Sequence, residues 1–510
     1  VQRDGTRTSC ILKPQMYSNG CTMTVTQSIG VVKPRIVSRL LSLDAGTLYG
    51  VHDNTIDNVA RGLQERVFLN SEGFAPPRVT VMVNATLQKF RDQLLRKRVC
   101  TAVLTPEEFL RCYSGRKLAV YTAASKSLDF EPINKGDAKI RAFVKAEKIN
   151  FTDKIDPAPR MIQPRSARFN LALGCYIRHL EPMIYKSIKR VFGETTVFKG
   201  FNALESGRHM RDKWTKYANP VAIGLDASRF DQHVRVPLLK FEHGIYQSYY
   251  PGDTKLGWLL KQQLRNTGVA YCEDGVAKYH VVGSRMSGDM NTALGNCLIM
   301  CALVYTYLDS LGVTASLANN GDDCVLIFER EQESRVCAGL HAWFLTYGLV
   351  MKVEKPVYEF EQVEFCQTQP VWTEDGYIMV RKVATSVDKD LATYQSILCE
   401  NDWRRHCGLI GECGLHLAGH IPIYTALYRR LRAMGGNLKL PPAEENGMFW
   451  MTKGLDYRSK AVHPNTRASF FAAFGISPDE QEAIEEKITL LNPVYKPTRD
   501  DNALERVLLR

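Results

Sequence analysis

The sequence predicts an α+β fold built on an antiparallel sheet, and three observations between Pro220 and Glu329 carry the prediction. An apolar run, Val221 to Leu225, reads as a buried strand and ends in Asp226. The loop from Gly283 to Gly288 opens a helical segment that runs to Asp309. Two short apolar runs, Ala315 to Ala318 and Cys324 to Phe328, then flank Asn319-Asn-Gly-Asp-Asp323, which is the pattern of a hairpin about a glycine-containing turn.

Around this centre the chain is long enough to bury several large cores. Its 510 residues are 45% hydrophobic and 24% charged, which excludes disorder, collagen-like repeats and a mini-protein scaffold. Repeats, low-complexity tracts and obvious linkers are missing from the sequence, so interleaved subdomains of one large fold are expected rather than separate beads. The first 215 residues are mixed, and their pattern leaves the topology open. After about Val383 the character changes: Ile423 to Ala433 and Asp479 to Leu490 have helical periodicity, and Pro478 precedes the second as a helix start.

Charge points to a polyanionic partner. Sixty-six Lys and Arg oppose 54 Asp and Glu, a net +12. From Lys135 to Arg190, 13 basic residues face 5 acidic ones, so +8 of the +12 falls in 56 residues. A solvated basic surface is the competing explanation for that stretch. The 14 cysteines form no C-x-x-C pair and follow no secretory leader, the usage of a reducing compartment. The longest apolar stretch, Cys297 to Leu308, is short of the roughly 20 residues a membrane span needs, so no crossing is expected. The chain starts at Val1 rather than Met, so an upstream segment with a targeting or anchoring element is expected.

Three constellations carry chemistry. Gly224-Leu-Asp-Ala-Ser-Arg-Phe-Asp231 places Asp226 at a strand end and Asp231 five residues on; alone, it also fits a surface turn. Ser287-Gly-Asp-Met-Asn-Thr292-Ala-Leu-Gly-Asn296 puts Thr292 and Asn296 one helical turn apart, on one face behind a Ser-Gly loop; an N-capped helix is the alternative. Gly321-Asp322-Asp323 occupies the hairpin tip, where Asp and Gly are common for conformational reasons alone. Taken together, adjacent carboxylates at a tip beside a third on a strand end are hard to keep ionised without a bound cation. Oxygen-only ligands select a hard ion such as Mg²⁺ or Mn²⁺, and two such ions are the usual apparatus of in-line phosphoryl transfer.

With "GLDASRFDQH", "SGDMNTALGN" and "NGDD" in that order and spacing, the sequence resembles the RNA-dependent RNA polymerases of plus-strand RNA viruses, specifically the tombusvirus and carmovirus group, Tombusviridae. "GVHDNTIDNVARGLQERVF" and the basic "PRMIQPRSARFN" extend the resemblance upstream, so that it runs from about Gly50 to Gln369.

The resemblance implies a right-hand polymerase fold of fingers, palm and thumb with closed fingertips. The expected divisions are 1–215 fingers with an N-terminal fingertip region, 216–235 first palm part, 236–280 fingers insertion, 281–382 second palm part, and 383–510 thumb and C-terminal region. It implies that Asp226, Asp322 and Asp323 are catalytic and hold two Mg²⁺ or Mn²⁺ ions. Asp231 matches the ribose 2′-hydroxyl sensor, arranged by Ser287, Thr292 and Asn296. Arg160 matches the arginine that grips the incoming triphosphate, with Lys145 and Arg165 as helpers. Lys352 or Lys355 matches the lysine that protonates pyrophosphate, and Glu364-Phe-Cys-Gln367 resembles the hairpin supporting the primer strand.

The implied reaction is template-directed nucleotidyl transfer from rNTPs, replicating a plus-strand genome with de novo initiation. Implied partners are single-stranded RNA template, nascent RNA, an auxiliary viral replicase protein and host factors. The implied location is the host cytoplasm at membrane-bound replication complexes, with the membrane reached only through a segment outside this chain. Two alternatives stand beside this reading: a basic, non-enzymatic RNA-binding replication protein, and a related palm polymerase such as a reverse transcriptase. A 2′-hydroxyl sensor at Asp231 and Asn296 speaks against the second. His406, Cys407, Cys413, His416 and His420 lie close in sequence, but their spacing is not that of a zinc finger or ribbon, and packed thiols with surface histidines are expected.

Overall fold

The strand that ends at the first aspartate is central in its sheet. In the computed structural model of the chain, which describes residues 20–41, 43–70, 72–440, 454–491, 493 and 495 with short strand segments at 10–11, 15–16 and 507–508, Pro220–Ala227 pairs antiparallel on both sides. The strand order is Ser316–Asn319, Asp323–Glu329, Pro220–Ala227, Met351–Val353. The two hairpin strands pair from Ser316 opposite Ile327 to Asn319 opposite Cys324, as the sequence predicts.

Both faces of this sheet are covered, which is why its strands read as continuous apolar runs rather than as an alternation. Val221, Ile223, Leu225, Leu326 and Phe328 pack with the helices Ala167–Phe192 and Thr292–Leu311. Ala222, Val325 and Ile327 face the other way, against Met210, Trp214, Phe360 and Phe365. The helix Thr292–Leu311 is a correction to the expected apolar stretch: at 20 residues it is long and apolar enough to cross a bilayer, yet 72% of its apolar window is buried inside the protein. It is the core helix beneath the carboxylate-bearing sheet.

A second sheet joins distant parts of the sequence. Thr22–Gln27 pairs with Gly275–Val282, which pairs with Arg265–Cys272, which runs parallel to Ile140–Arg141. Gly268 lies opposite Tyr279, whose ring occupies the place where a Cβ on residue 268 would stand, 2.2 Å away. The helix Ile56–Leu63 buries Ile56, Val59 and Leu63 against this sheet. The segment 236–280 therefore divides between two cores: the helices Val236–Tyr249 and Thr254–Lys261 pack with the carboxylate sheet, and only the hairpin that follows joins the N-terminal strands.

The C-terminal part is helical, as the periodicity predicts, with helices Glu400–Ala418, Tyr424–Gly435, Pro464–Phe474 and Pro478–Leu490. The last begins with a reciprocal cap, Ser477 bonding the Glu480 backbone while Glu480 bonds back, and Pro478 fills the first turn. The first two helices cross closely because Gly411 and Gly414 carry no Cβ; one would lie 2.2 Å from the Arg432 amide nitrogen and 2.3 Å from the Tyr428 ring. The hairpin Thr368–Thr373 and Gly376–Arg381 shares this core through Val371, Ile378 and Val380, as do Leu40, Leu41 and Leu43 from the N-terminal region. The core that includes these helices thus begins before Val383 and recruits residues from the start of the chain.

Candidate active site

Strand register brings the three predicted carboxylates together. Asp226 stands directly opposite Asp323 on one neighbouring strand and opposite Lys352 on the other, and Asp322 precedes Asp323 at the hairpin turn. Residues paired in antiparallel register present side chains to the same face, so like charges there repel each other. The three aspartates line a cavity of about 280 Å³ together with Glu354, Glu364 and Gln367. Gly224 belongs to its wall: a Cβ there would lie 2.2 Å from Glu354 Oε2, so glycine lets this fourth carboxylate lie across the strand.

The electrostatics of this group are set by burial and by the mutual repulsion of its carboxylates. Burial pushes Asp323 up to about 6; hydrogen bonding from Cys366 opposes this, and the neighbouring charges of Asp322 and Asp226 add to it. Burial also raises Asp322, reinforced by Asp231 and countered by its own backbone hydrogen bond, Lys199 and Arg160. A donor set of carboxylate oxygens in one cavity, with the Asp322 and Asp323 carboxyls pushed above their ordinary range by burial and neighbouring charge, fits a hard divalent cation. Among the described residues, no three His, Cys, Asp or Glu side chains are already gathered as a finished chelate.

The Glu364-Phe-Cys-Gln367 segment forms a tight turn against this cluster. Phe365 pairs with Thr368, and the two residues between them, Cys366 and Gln367, have φ of 52° and 60°. Two consecutive non-glycine residues in the left-handed region cost about 1–2 kcal/mol each. The strained turn directs the Cys366 amide at Asp323 Oδ2, 3.0 Å away.

Asp231, by contrast, is fully partnered. Its Oδ2 accepts from Ser287 Oγ at 2.5 Å and its Oδ1 from Asn296 Nδ2 at 2.9 Å. Its backbone carbonyl accepts from the Arg285 amide at 2.8 Å and from Ser284 Oγ at 3.2 Å. The Ser-Gly loop makes this possible: Gly288 has φ of 120°, and a Cβ there would lie 3.2 Å from Pro164. Thr292 departs from its expected place in the network. Its Oγ1 lies 3.0 Å from the carbonyls of both Met286 and Asp289, so the hydroxyl ties the helix start to its own loop instead of reaching Asp231.

The basic residues separate into two kinds. Lys145 and Arg160 meet over Glu147, at 2.7 and 3.1 Å, with Arg160 largely exposed. Arg165 corrects the expectation that it helps to bind a triphosphate: its side chain is 1% exposed and donates to Asp289 at 2.6 Å, the Ala138 carbonyl at 2.7 Å and Asn266 at 2.6 Å. No face of that guanidinium is free; it fastens the Ser287 loop through Asp289. Lys148 is likewise turned inward, donating to the Lys389 carbonyl, and burial pushes it down to about 8. Lys355 lies past the end of the strand on which Lys352 faces Asp226.

Several residues around the site carry no signal in the sequence. Lys199 Nζ stands 3.9 Å from the Cβ position of Gly321, beside the hairpin tip. Arg66 is pushed down to about 10 by burial, then by Arg229 and Arg160, which marks a cluster of cations near Glu147. Arg229 holds a left-handed φ of 48° in the turn between Asp226 and Asp231. The cysteine-histidine group of the C-terminal region lies elsewhere: Cys407 and Cys413 are buried, His416 meets Glu412 and Asp456, and His420 stacks on Tyr457 at 3.7 Å.

The family model described as viral RNA dependent RNA polymerase matches residues 23–494, and the chain belongs to that family. Membership implies the right-hand polymerase fold, in keeping with the mixed helix and sheet described above. Among individual relatives, the chain is 46% identical over 464 residues to the RNA-directed RNA polymerase of Tobacco necrosis virus (strain A), covering 89% of this chain and 63% of that protein. It is 44% identical over 444 residues to the RNA-directed RNA polymerase of Cucumber necrosis virus, covering 86% and 54%. For that of Turnip crinkle virus the identity is 40% over 465 residues, covering 89% and 60%. The chain thus spans between half and two thirds of the length of these relatives.

Proposed function

We propose that this chain is the polymerase part of a viral replicase, an RNA-directed RNA polymerase that transfers nucleotides from rNTPs to a growing RNA copied from a single-stranded template. The observation that carries the proposal is the convergence of Asp226, Asp322 and Asp323 on one cavity, beside an Asp231 carboxylate already held by Ser287 and Asn296. Asp226 and Asp322, with Asp323 behind them, would hold two Mg²⁺ or Mn²⁺ ions. Bound there, the ions supply the charge that activates the 3′-hydroxyl and stabilises the leaving pyrophosphate.

The chain's own groups do the rest. Asp231, oriented by Ser287 and Asn296, accepts the ribose 2′-hydroxyl through a remaining lone pair, a hydrogen bond that a deoxynucleotide cannot make. Arg160 and Lys145 release Glu147 to meet the triphosphate, where a guanidinium fork matches phosphate oxygens. Lys352, cross-strand from Asp226, is the better placed of the two lysines to hand a proton to pyrophosphate. The carboxylate sheet serves as palm, the N-terminal sheet with its closing strands as fingers and fingertips, and the C-terminal helices as thumb. Replication of a plus-strand genome, de novo initiation, an auxiliary replicase protein with host factors, and a site at membrane-bound complexes in the host cytoplasm belong to the same proposal.

Incorporation of labelled ribonucleotide on a single-stranded RNA template tests it, with Mg²⁺ or Mn²⁺, comparing the chain with Asp322→Ala and repeating with dNTPs. Template-length product from the unaltered chain alone, with rNTP strongly preferred, is the expected result. RNA binding by both proteins with synthesis by neither would favour the RNA-binding reading, and equal use of dNTPs would favour a reverse-transcriptase-like enzyme.

A further inference from the structure

The amide of Asn296 has two ends, and only one of them can donate to Asp231. What decides between them lies one layer deeper. Arg285 Nε donates to Asn296 Oδ1 at 3.0 Å, while Asn296 Nδ2 donates to Asp231 Oδ1 at 2.9 Å. A guanidinium has donors and no acceptor, so it tolerates only the carbonyl end of the amide. The arginine thus fixes the amide in the orientation that points its NH₂ at the carboxylate.

Arg285 is itself held rigidly. Its two terminal nitrogens clasp the Glu242 carboxylate, Nη1 to Oε1 at 3.1 Å and Nη2 to Oε2 at a shorter distance, and both side chains are buried, at 1% and 0% exposure. Glu242 Oε1 also accepts from Asn291 Nδ2 at 2.7 Å and from the Tyr246 hydroxyl at 2.8 Å. Burial alone would raise the Glu242 carboxyl, but the charge and hydrogen bonds of Arg285, with smaller help from His243 and Tyr246, hold it below its ordinary range. The pair fits against the helix Thr292–Leu311 because residue 295 is glycine: a Cβ there would lie 2.3 Å from Arg285 Nη2 and 2.5 Å from Glu242 Oε1.

The nearby groups do not compete for the arginine. His243 bonds Gln263 at 3.1 Å, and Gln263 donates to Asn291 Oδ1 at 2.7 Å, so that chain of amides ends on the glutamate side. Arg285 also reaches Asp231 through its backbone, whose N–H donates to the Asp231 carbonyl at 2.8 Å. One residue therefore sets both the main chain of the carboxylate and the side chain that orients it.

We infer that the buried Glu242–Arg285 pair is a positioning device for sugar selection, fixing the Asn296 amide so that Asp231 is presented to a ribose 2′-hydroxyl. The inference rests on the polymerase reading above and adds to it residues that touch neither nucleotide nor ion. A buried ion pair of this kind is costly to desolvate and is retained more readily for geometry than for stability. The consequence is selective: loosening Arg285 should degrade the choice between rNTP and dNTP more than it degrades polymerisation itself.

The test measures incorporation efficiency for rNTP and dNTP separately on the same RNA template, for the full chain and for Arg285→Lys. Lysine keeps the charge opposite Glu242 but cannot hold Glu242 and Asn296 together in a planar fork. The rNTP-over-dNTP ratio is expected to fall about tenfold, the worth of one hydrogen bond. In an Asn296→Ala background the same substitution should leave the ratio where it is. Should Arg285→Lys fail to fold, Glu242→Gln, nearly isosteric with the carboxylate, is expected to lower the ratio in the same direction. A folded variant that loses rNTP and dNTP incorporation equally, with an unchanged ratio, overturns this inference and leaves the polymerase reading intact. An unaltered chain that incorporates no nucleotide on any template overturns both.

Discussion

Two groups of carboxylates stand side by side in this molecule, and they are built in opposite ways. Asp231 has a donor for each carboxylate oxygen and two more for its backbone carbonyl, all from the protein. Asp226 and Asp323 are set against each other by strand register with Asp322 beside them at the turn, and burial raises Asp322 and Asp323 despite the Cys366 turn at Asp323 and a backbone hydrogen bond, Lys199 and Arg160 at Asp322. On the polymerase proposal, the satisfied carboxylate recognises a sugar hydroxyl and the unsatisfied ones bind a cation. Their adjacency suits the proposed reaction, in which one nucleotide would meet both.

The sharpest way to break the comparison is to neutralise a member of the unsatisfied group. Asp322→Asn should lower nucleotide incorporation by about a thousandfold or more in a template-extension assay, because a charge proposed to hold the ions is lost. The same change should leave the melting temperature in metal-free buffer unchanged or raised, since a repelling charge has gone. A large fall in melting temperature would mean that the cluster is structural after all.

Lys352 offers the next effect. Lys352→Ala is expected to lower kcat by about a hundredfold, whereas Lys355→Ala should change it by about twofold at most, since only Lys352 faces Asp226. Equal effects of the two substitutions in single-turnover kinetics would remove the strand register from the argument. On the satisfied side, Ser287→Ala should reduce rNTP-over-dNTP discrimination by about tenfold while lowering rNTP turnover much less. Parallel losses for both sugars would show that the hydroxyl shapes the loop rather than the selection.

The smallest effect is on stability. Asp323 is pushed up from 3.8 to about 6, so its protonated form is favoured by the fold. Its contribution is full below the unfolded value and is lost as pH rises through about 6. Thermal melts without divalent cations should therefore show a declining contribution from this group between about pH 4 and 6. Added Mg²⁺ should raise the melting temperature above that window and do progressively less below it. The Asp323→Asn variant should flatten both dependences.

How much of this is legible in the sequence follows from the range of the interactions. The Asp226 strand and the 319–323 hairpin are local patterns, and both stand where the apolar runs put them. The helix beginning at Thr292 is local too, but the hydroxyl of Thr292 turns to Met286 and Asp289, a choice set by loop geometry that spacing does not encode. Arg165 shows the limit of charge counting. It belongs to the most basic stretch of the chain, yet Asp289 and Asn266, far along the sequence, hold it inward together with the Ala138 carbonyl. The pairing of Thr22–Gln27 with Gly275–Val282 and the meeting of Glu242 with Arg285 are equally non-local, and neither side of either pair signals the other. Lys199 has no motif of its own and acquires meaning only beside Gly321.

The most direct test of the central claim, that the unsatisfied carboxylates are an ion site, is a Mn²⁺ titration followed by electron paramagnetic resonance at pH 7.5 with rNTP present, on the unaltered chain and on Asp322→Asn. Saturable Mn²⁺ binding is expected for the unaltered chain, weakening at pH 5, below the value of about 6 to which Asp323 is pushed up, and largely lost in Asp322→Asn at either pH. Equal binding by the two proteins, indifferent to pH, would contradict it.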